Sequence, residues 1–325
     1  MDTKALHRES IVVDGHCDTL MRVADGTRKL GERSSEGHLD LPRLQDGGVT
    51  AQVFAIYLED RYLPAGAAKQ TLHTLDALYR EVAENSGSMM LATRAGDVEE
   101  AKRTGKVAAI IGFEGAEALE GDLALLRVFH RLGLRLLTVT WSRRNQAGDG
   151  IQEIRTGGGL TSFGVQLVEA CNQLGIIVDV SHLSPAGLTD VLETSTAPIV
   201  ASHSNAFAVC PHRRNLTDNQ LTALAANGGV VGVTFVPSFI SEAKDRADLS
   251  TLLEHVDHIT GVAGIEHVGI GSDFDGFGPS TPAGLEDVTC LPDITAGLAR
   301  RGYSDQDVRK ILGGNLMRVF RQAAG

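Results

Sequence analysis

The sequence predicts an α/β fold, a closed (β/α)8 TIM barrel, and three observations carry that expectation. Eight short apolar runs alternate with longer amphipathic segments. The runs are continuously apolar rather than alternating, as parallel strands covered on both faces are. A chain of 325 residues is also of the length that eight β/α units fill, which favours a closed barrel over an open doubly wound sheet.

Taken in order, the first run is IVVDGHCDTL from Ile11, where apolar residues give way to His16, Cys17 and Asp18. Residues two apart on a strand share a face, so His16 and Asp18 are expected side by side with Cys17 turned away. Residues 21–49, with Gly26, Gly31, Gly37 and Gly47, read as an elaborated first loop. The next strands are expected at TAQVFAIYL from Thr50, VAAIIGFEG from Val107 and RLLTVTW from Arg135. Four more follow, at IIVDVSHLS from Ile176, APIVASHSNA from Ala197, VVGVTFVPSF from Val230 and HVGIGSDFDG from His267. Helical periodicity occupies Gly66–Asn85, Asp122–Leu132, Phe163–Leu174, Pro185–Glu193, Asp218–Ala226 and Leu249–Gly261, with a C-terminal helix near Asp305–Arg321. The glycine-rich stretch Gly157–Gly164 lacks a Walker lysine and reads as a turn with Thr161 capping the next helix. No linker, repeat or low-complexity run divides the chain, so residues 1–325 are expected to form one domain.

The formal charge of -11, with no Lys/Arg-rich tract, argues against nucleic acid as a partner. The N-terminal stretch has no apolar signal region and no segment is long enough to span a bilayer, so a cytoplasmic protein without membrane attachment is expected. Cys17, Cys171, Cys210 and Cys290 show no CxxC spacing and read as buried, reduced thiols.

The polar residues at the strand ends are the informative ones. His16 and Asp18 end the first strand, Glu114 the third, His182 the fifth, His203 the sixth and Asp273 the eighth. In a (β/α)8 barrel that C-terminal rim gathers catalytic groups. Three imidazoles and three carboxylates suit Zn²⁺ or a similar divalent ion, and six ligands serve two metals if one carboxylate bridges. His7, His38, His73, His130, His255, His258 and His267 follow no such rule and are expected on the surface or on helices, as is His212 by default.

At this point several stretches are familiar. DGHCDTL, GFEGAEAL, GLTSFG with DVSHLS, ASHSNA with RRNLTD, and GSDFDG with GLEDV resemble the membrane dipeptidase (renal dipeptidase) family, zinc peptidase family M19, from about Ile11 to Phe320. The resemblance implies a metal-dependent hydrolase of the amidohydrolase type, here a soluble bacterial-type dipeptidase with two Zn²⁺ ions. By the family's pattern His16, Asp18 and Asp273 bind one zinc, His182 and His203 the other, and Glu114 bridges them. A metal-bridging hydroxide attacks the peptide carbonyl, Asp273 handles the proton, and Arg214 binds the C-terminal carboxylate of a dipeptide. Tolerance of a D-residue at that position and a homodimer are further family-level expectations. Related hydrolases with His-x-His on strand one and a carboxylated lysine bridge differ from the His-x-Asp and Glu114 found here.

One position departs from the family. Where its members carry a histidine after strand four, this chain has Trp141, its one tryptophan. Trp141 is therefore expected at the substrate, as a hydrogen-bond donor or an aromatic wall, with Arg143, Arg144 or Asn145 supplying the missing polarity. Two other readings compete with a dipeptidase: hydrolysis of another small amide or lactam on the same metals, and a catalytically silent metal-binding barrel.

Overall fold

The apolar runs pair side by side, every pair parallel, in a computed structural model that describes residues 2–324. Among the described residues the strands are β1 (Val13–Cys17), β2 (Ala51–Tyr57), β3 (Met89–Leu91), β4 (Val107–Glu114), β5 (Leu134–Thr138), β6 (Ile177–Asp179), β7 (Val200–Ala201), β8 (Val230–Val233) and β9 (Val268–Ile270). Closure comes from two contacts: β1 pairs with β9 through Asp14 and Ile270, and β2 pairs with β4 from Ala51↔Ala108 to Tyr57↔Glu114. The eight expected strands thus form a closed (β/α)8 barrel. The ninth, β3, was not legible in the sequence; it lies outside the ring and pairs with the first residues of β4 alone.

The expected helices form, at Ala67–Glu84, Leu123–Arg131, Ser162–Leu174, Pro185–Thr194, Asp218–Ala226 and Leu249–Ala263. Their apolar faces and the outer faces of the strands build the main core, with Phe54, Phe113, Phe129 and Phe235 fully buried. Thr161 caps Ser162–Leu174 as expected, its hydroxyl accepting from Gly164 N at 3.1 Å. The four cysteines are free and buried.

The C-terminal region closes the lower mouth of the barrel. Asp305–Arg309 and Asn315–Ala324 are separated by a wide turn, and Leu316, Met317 and Phe320 pack against Val13, Val53, Ile110, Leu136, Ile177 and Val200. That turn must be tight against β1, because a Cβ on Gly313 would overlap the Ile11 carbonyl. An unpredicted helix, Thr3–Glu9, sits at the same end, and its His7 is buried between Thr295 Oγ1 (2.7 Å) and Gly47 O (2.9 Å).

At the upper end, residues 21–49 form the expected elaborated loop, with helices at Leu20–Ala24 and Leu41–Asp46. Asp275 pins it: the carboxylate accepts from Thr19 Oγ1 (2.6 Å), Arg28 Nη1 (2.8 Å) and His38 N (2.7 Å). No helix among the described residues is long and apolar enough to cross a membrane.

Candidate metal centre

The barrel brings all six rim residues together. His16 lies within β1 and Asp18 just past it, and their Nε2 and Oδ2 atoms are 3.5 Å apart, as the two-residue spacing predicted. Glu114 ends β4. Its Oε1 is 3.0 Å from His182 Nε2, 3.7 Å from His203 Nε2 and 3.8 Å from His16 Nε2, which makes it the hub of the cluster. Asp273 Oδ1 is 3.9 Å from His16 Nε2, and the two imidazoles of His182 and His203 face each other through Nε2 atoms 2.8 Å apart.

Besides Asp18, three more of these residues lie outside the strands, which corrects the expectation. His182, His203 and Asp273 lie in the turns after β6, β7 and β9. His182 (φ 68°) and Asp273 (φ 63°) hold left-handed backbone, a conformation that costs residues with a Cβ and persists where surrounding structure enforces it.

The electrostatics are those of a cation site. Burial drives the Glu114 carboxyl well above its ordinary value, with the like charge of Asp18 adding to it. Asp273 is pushed up to about 8 by burial, and the Asp18 charge also raises it against the pull of His16. Burial opposes charge on His16, yet Asp18, Glu114 and Asp273 together outweigh it and push this imidazole up to about 10. His182 and His203 are held well below the ordinary value, first by burial and then by the positive charges of His16 and Arg214, so their lone pairs stay available.

The donor set therefore fits divalent metal. Both ring nitrogens of His16 and Oδ1 of Asp18 are buried without a hydrogen-bond partner, a costly arrangement that a coordinated cation relieves. Two triads, His16–Asp18–Asp273 and His16–Glu114–His203, each offer ligand atoms within 4.8 Å of one another.

Above the cluster opens a cavity of about 340 Å³, at the small end of the range for small-molecule sites. Asp18, Glu114, His182 and Asp273 line it together with Met21, Tyr57, Trp141, Phe239 and Phe277. Arg214 reaches it from the loop after His203, nearly buried, with Nη2 donating to His203 O at 3.3 Å and Nε unpartnered. Burial lowers its pKa to about 10, still well above neutrality, so the guanidinium remains a cation facing the site.

Trp141 also lines the cavity, stacked on His182 (centroids 5.7 Å apart) and tilted against Tyr57 (5.2 Å). None of its three neighbours Arg143, Arg144 and Asn145 lines the cavity itself. Asn145 lies away from the cavity, donating to Val139 O (3.0 Å) and accepting from Ala147 N (2.8 Å), because it shapes its own turn. Arg143 packs over Trp141 and Tyr57 while donating to Asp60 and Leu58 O, and Arg144 is bound to Asp149. His212 departs from expectation in the other direction: it lines the cavity, stacked on Phe239 at 4.3 Å. Tyr57 was missed too, although the strand-end rule reaches it, since it pairs with Glu114 across β2 and β4. His255 and His258 are structural, the first bonded to Ile240 O and Ala206 N, the second to Asp218.

Comparison with known proteins agrees with this geometry. The family model for membrane dipeptidase, peptidase family M19, matches residues 1–325. The chain belongs to the membrane dipeptidase family. As an M19 member it is a metal-dependent dipeptidase. Dipeptidase tcpJ of Claviceps purpurea (strain 20.1) is 36% identical over 298 residues, spanning 88% of this chain and 69% of that protein. A metallopeptidase from Rhodobacter sphaeroides, solved with a phosphinate mimic of the dipeptide L-Ala-D-Ala, is 35% identical with a TM-score of 0.89 over 97% of this chain and 99% of its own. The M19 metallopeptidase dipeptidase AC is 36% identical with a TM-score of 0.91 at the same coverage.

Proposed function

We propose that residues 1–325 act as one catalytic unit, a binuclear zinc dipeptidase that accepts a D-residue at the C-terminal position. The observation that carries it is the cluster of six ligand side chains, four of which line a single small cavity together with one buried arginine. The Rhodobacter relative binds a mimic of an L,D-dipeptide, which supports the stereochemical part.

Glu114 would be the ligand shared by the two ions, a reading supported by its Oε1 lying 3.8 Å from His16 Nε2 and 3.0 and 3.7 Å from His182 and His203 Nε2. His16, Asp18 and Asp273 would hold one ion, His182 and His203 the other. Bound divalent ions would supply Lewis acidity toward the peptide carbonyl and a water that ionises near neutral pH. Asp273, which lines the cavity, would take the proton from the attacking water and return it to the leaving amine. Arg214 pairs with the substrate's C-terminal carboxylate through a planar fork that sets orientation as well as charge. Trp141, Tyr57 and Phe239 form apolar walls that keep bulk water from the reacting bond.

Metal analysis of the purified protein should find about two divalent ions per chain. L-Ala-D-Ala should be hydrolysed to alanine, with activity lost to a chelator and restored by Zn²⁺. Failure of the fully metallated protein to release amino acids from any of a panel of L,L- and L,D-dipeptides would sink this reading.

A further inference from the structure

Beneath the rim lie two carboxylates that no step above uses, Asp14 on β1 and Asp179 on β6, both with 0% exposure. Their surroundings repeat. Asp14 Oδ1 accepts from the backbone N–H of His16 (3.3 Å) and Ser272 (2.8 Å), and Oδ2 accepts from Ser272 Oγ (2.6 Å). Asp179 Oδ1 accepts from the N–H of Ser181 (3.0 Å) and Ser202 (2.8 Å), and Oδ2 accepts from Ser202 Oγ (2.6 Å). In both cases the serine immediately precedes a rim residue on the neighbouring chain segment, Asp273 in the first and His203 in the second. The aspartate's own segment carries another shortly after it, His16 or His182. Each carboxylate therefore ties together the two segments that supply one side of the cluster.

The second arrangement reaches one atom further. Ser202 Oγ is also 2.8 Å from His203 Nδ1. Asp179 receives a fourth donor, Thr138 Oγ1 at 2.6 Å, so its oxygens act as acceptors and the single Ser202 proton is committed to them. The serine oxygen must then accept from His203 Nδ1–H. That fixes the tautomer and leaves the Nε2 lone pair turned toward Glu114 and His182.

We propose that Asp179 is a positioning residue of the metal centre, acting through Ser202 to present His203 Nε2 to a divalent cation. The proposal rests on the metal-centre reading above. Outer partners of this kind orient ligand imidazoles, and their loss weakens metal affinity by about 10- to 100-fold. The two serines provide an internal control. Ser202→Ala and Ser272→Ala each remove one hydroxyl from an equivalent buried carboxylate, but an imidazole depends on the first alone.

The test is chelator competition on the zinc-loaded protein, with thermal melting in parallel. Ser202→Ala should weaken retention of one metal by about 10-fold or more, while Ser272→Ala stays within about threefold of wild type at a comparable loss of Tm. Equal weakening by both variants, or unchanged retention in Ser202→Ala, overturns the proposal. A wild-type chain that holds no divalent metal removes the centre itself and the proposal with it. Histidine ¹⁵N NMR on the chelator-treated wild type reads the tautomer without any substitution: the His203 proton belongs on Nδ1, and a proton on Nε2 refutes the assignment.

Discussion

Replacing Arg214 with methionine tests how the cavity measures its substrate. Arg214 is 7% exposed; its Nη2 donates to His203 O at 3.3 Å while its buried Nε has no partner among the described residues, which leaves part of the fork for a ligand. Methionine keeps much of the aliphatic volume against Phe239, whose ring centre lies 5.5 Å from the guanidinium carbon. What is lost is a charge-assisted, largely desolvated pair, and truncating one partner of such a pair costs about 2–4 kcal/mol. That corresponds to a fall of roughly 30- to 1,000-fold in kcat/KM for a free dipeptide. Arg214 also lies near enough to Asp273 and Glu114 to influence their charge, so the substitution alone is ambiguous. A cycle with L-Ala-D-Ala and its C-terminal amide resolves this. The wild type should lose a similar factor on the amide, and Arg214→Met should then discriminate little between the two. Additive losses, or equal cleavage of acid and amide by the wild type, would refute the carboxylate-binding role.

Three further outcomes are expected. Glu114→Ala should bind fewer than the wild-type number of metals in elemental analysis and lose at least about 100-fold in kcat, because the hub carboxylate is shared by both sides of the cluster; full metal content with full activity would contradict this. Phe320→Ala should lower unfolding free energy in urea by about 3–5 kcal/mol, since a buried ring is withdrawn from the floor of the barrel; a midpoint within error of wild type would show that the floor is not cooperative with the barrel. His255 has 0% exposure and burial depresses its pKa to about 4, so the unfolded chain binds its proton first. Its contribution is therefore complete above about pH 6.5 and is lost progressively as pH falls toward about 4, by roughly 3 kcal/mol in all. Melting of His255→Gln should show a shallower pH dependence over that window, and identical slopes would count against it.

Much of this protein was legible in the sequence for a simple reason. In a parallel barrel each strand is a short apolar run, and the chemistry sits where the run turns polar, so His16, Asp18, Glu114, His182, His203 and Asp273 could be found by position alone. Resemblance to family motifs then carried the expectations that periodicity cannot, a division of those residues between two metals and a substrate-binding role for Arg214. Tertiary structure decided the rest. Asn145 stands in sequence among cavity residues, yet its amide satisfies its own turn, and His212 carries no local signal of lining the cavity. The strand β3 is too short for a period, and the C-terminal helix shows an apolar face without showing what covers it. Asp14 and Asp179 look in sequence like polar interruptions of strands; their donors come from neighbouring segments, Ser272 lying 258 positions from Asp14. Local residue order fixes spacing and face along one segment, whereas partner, burial and tautomer belong to atoms that only the closed barrel brings within hydrogen-bond distance.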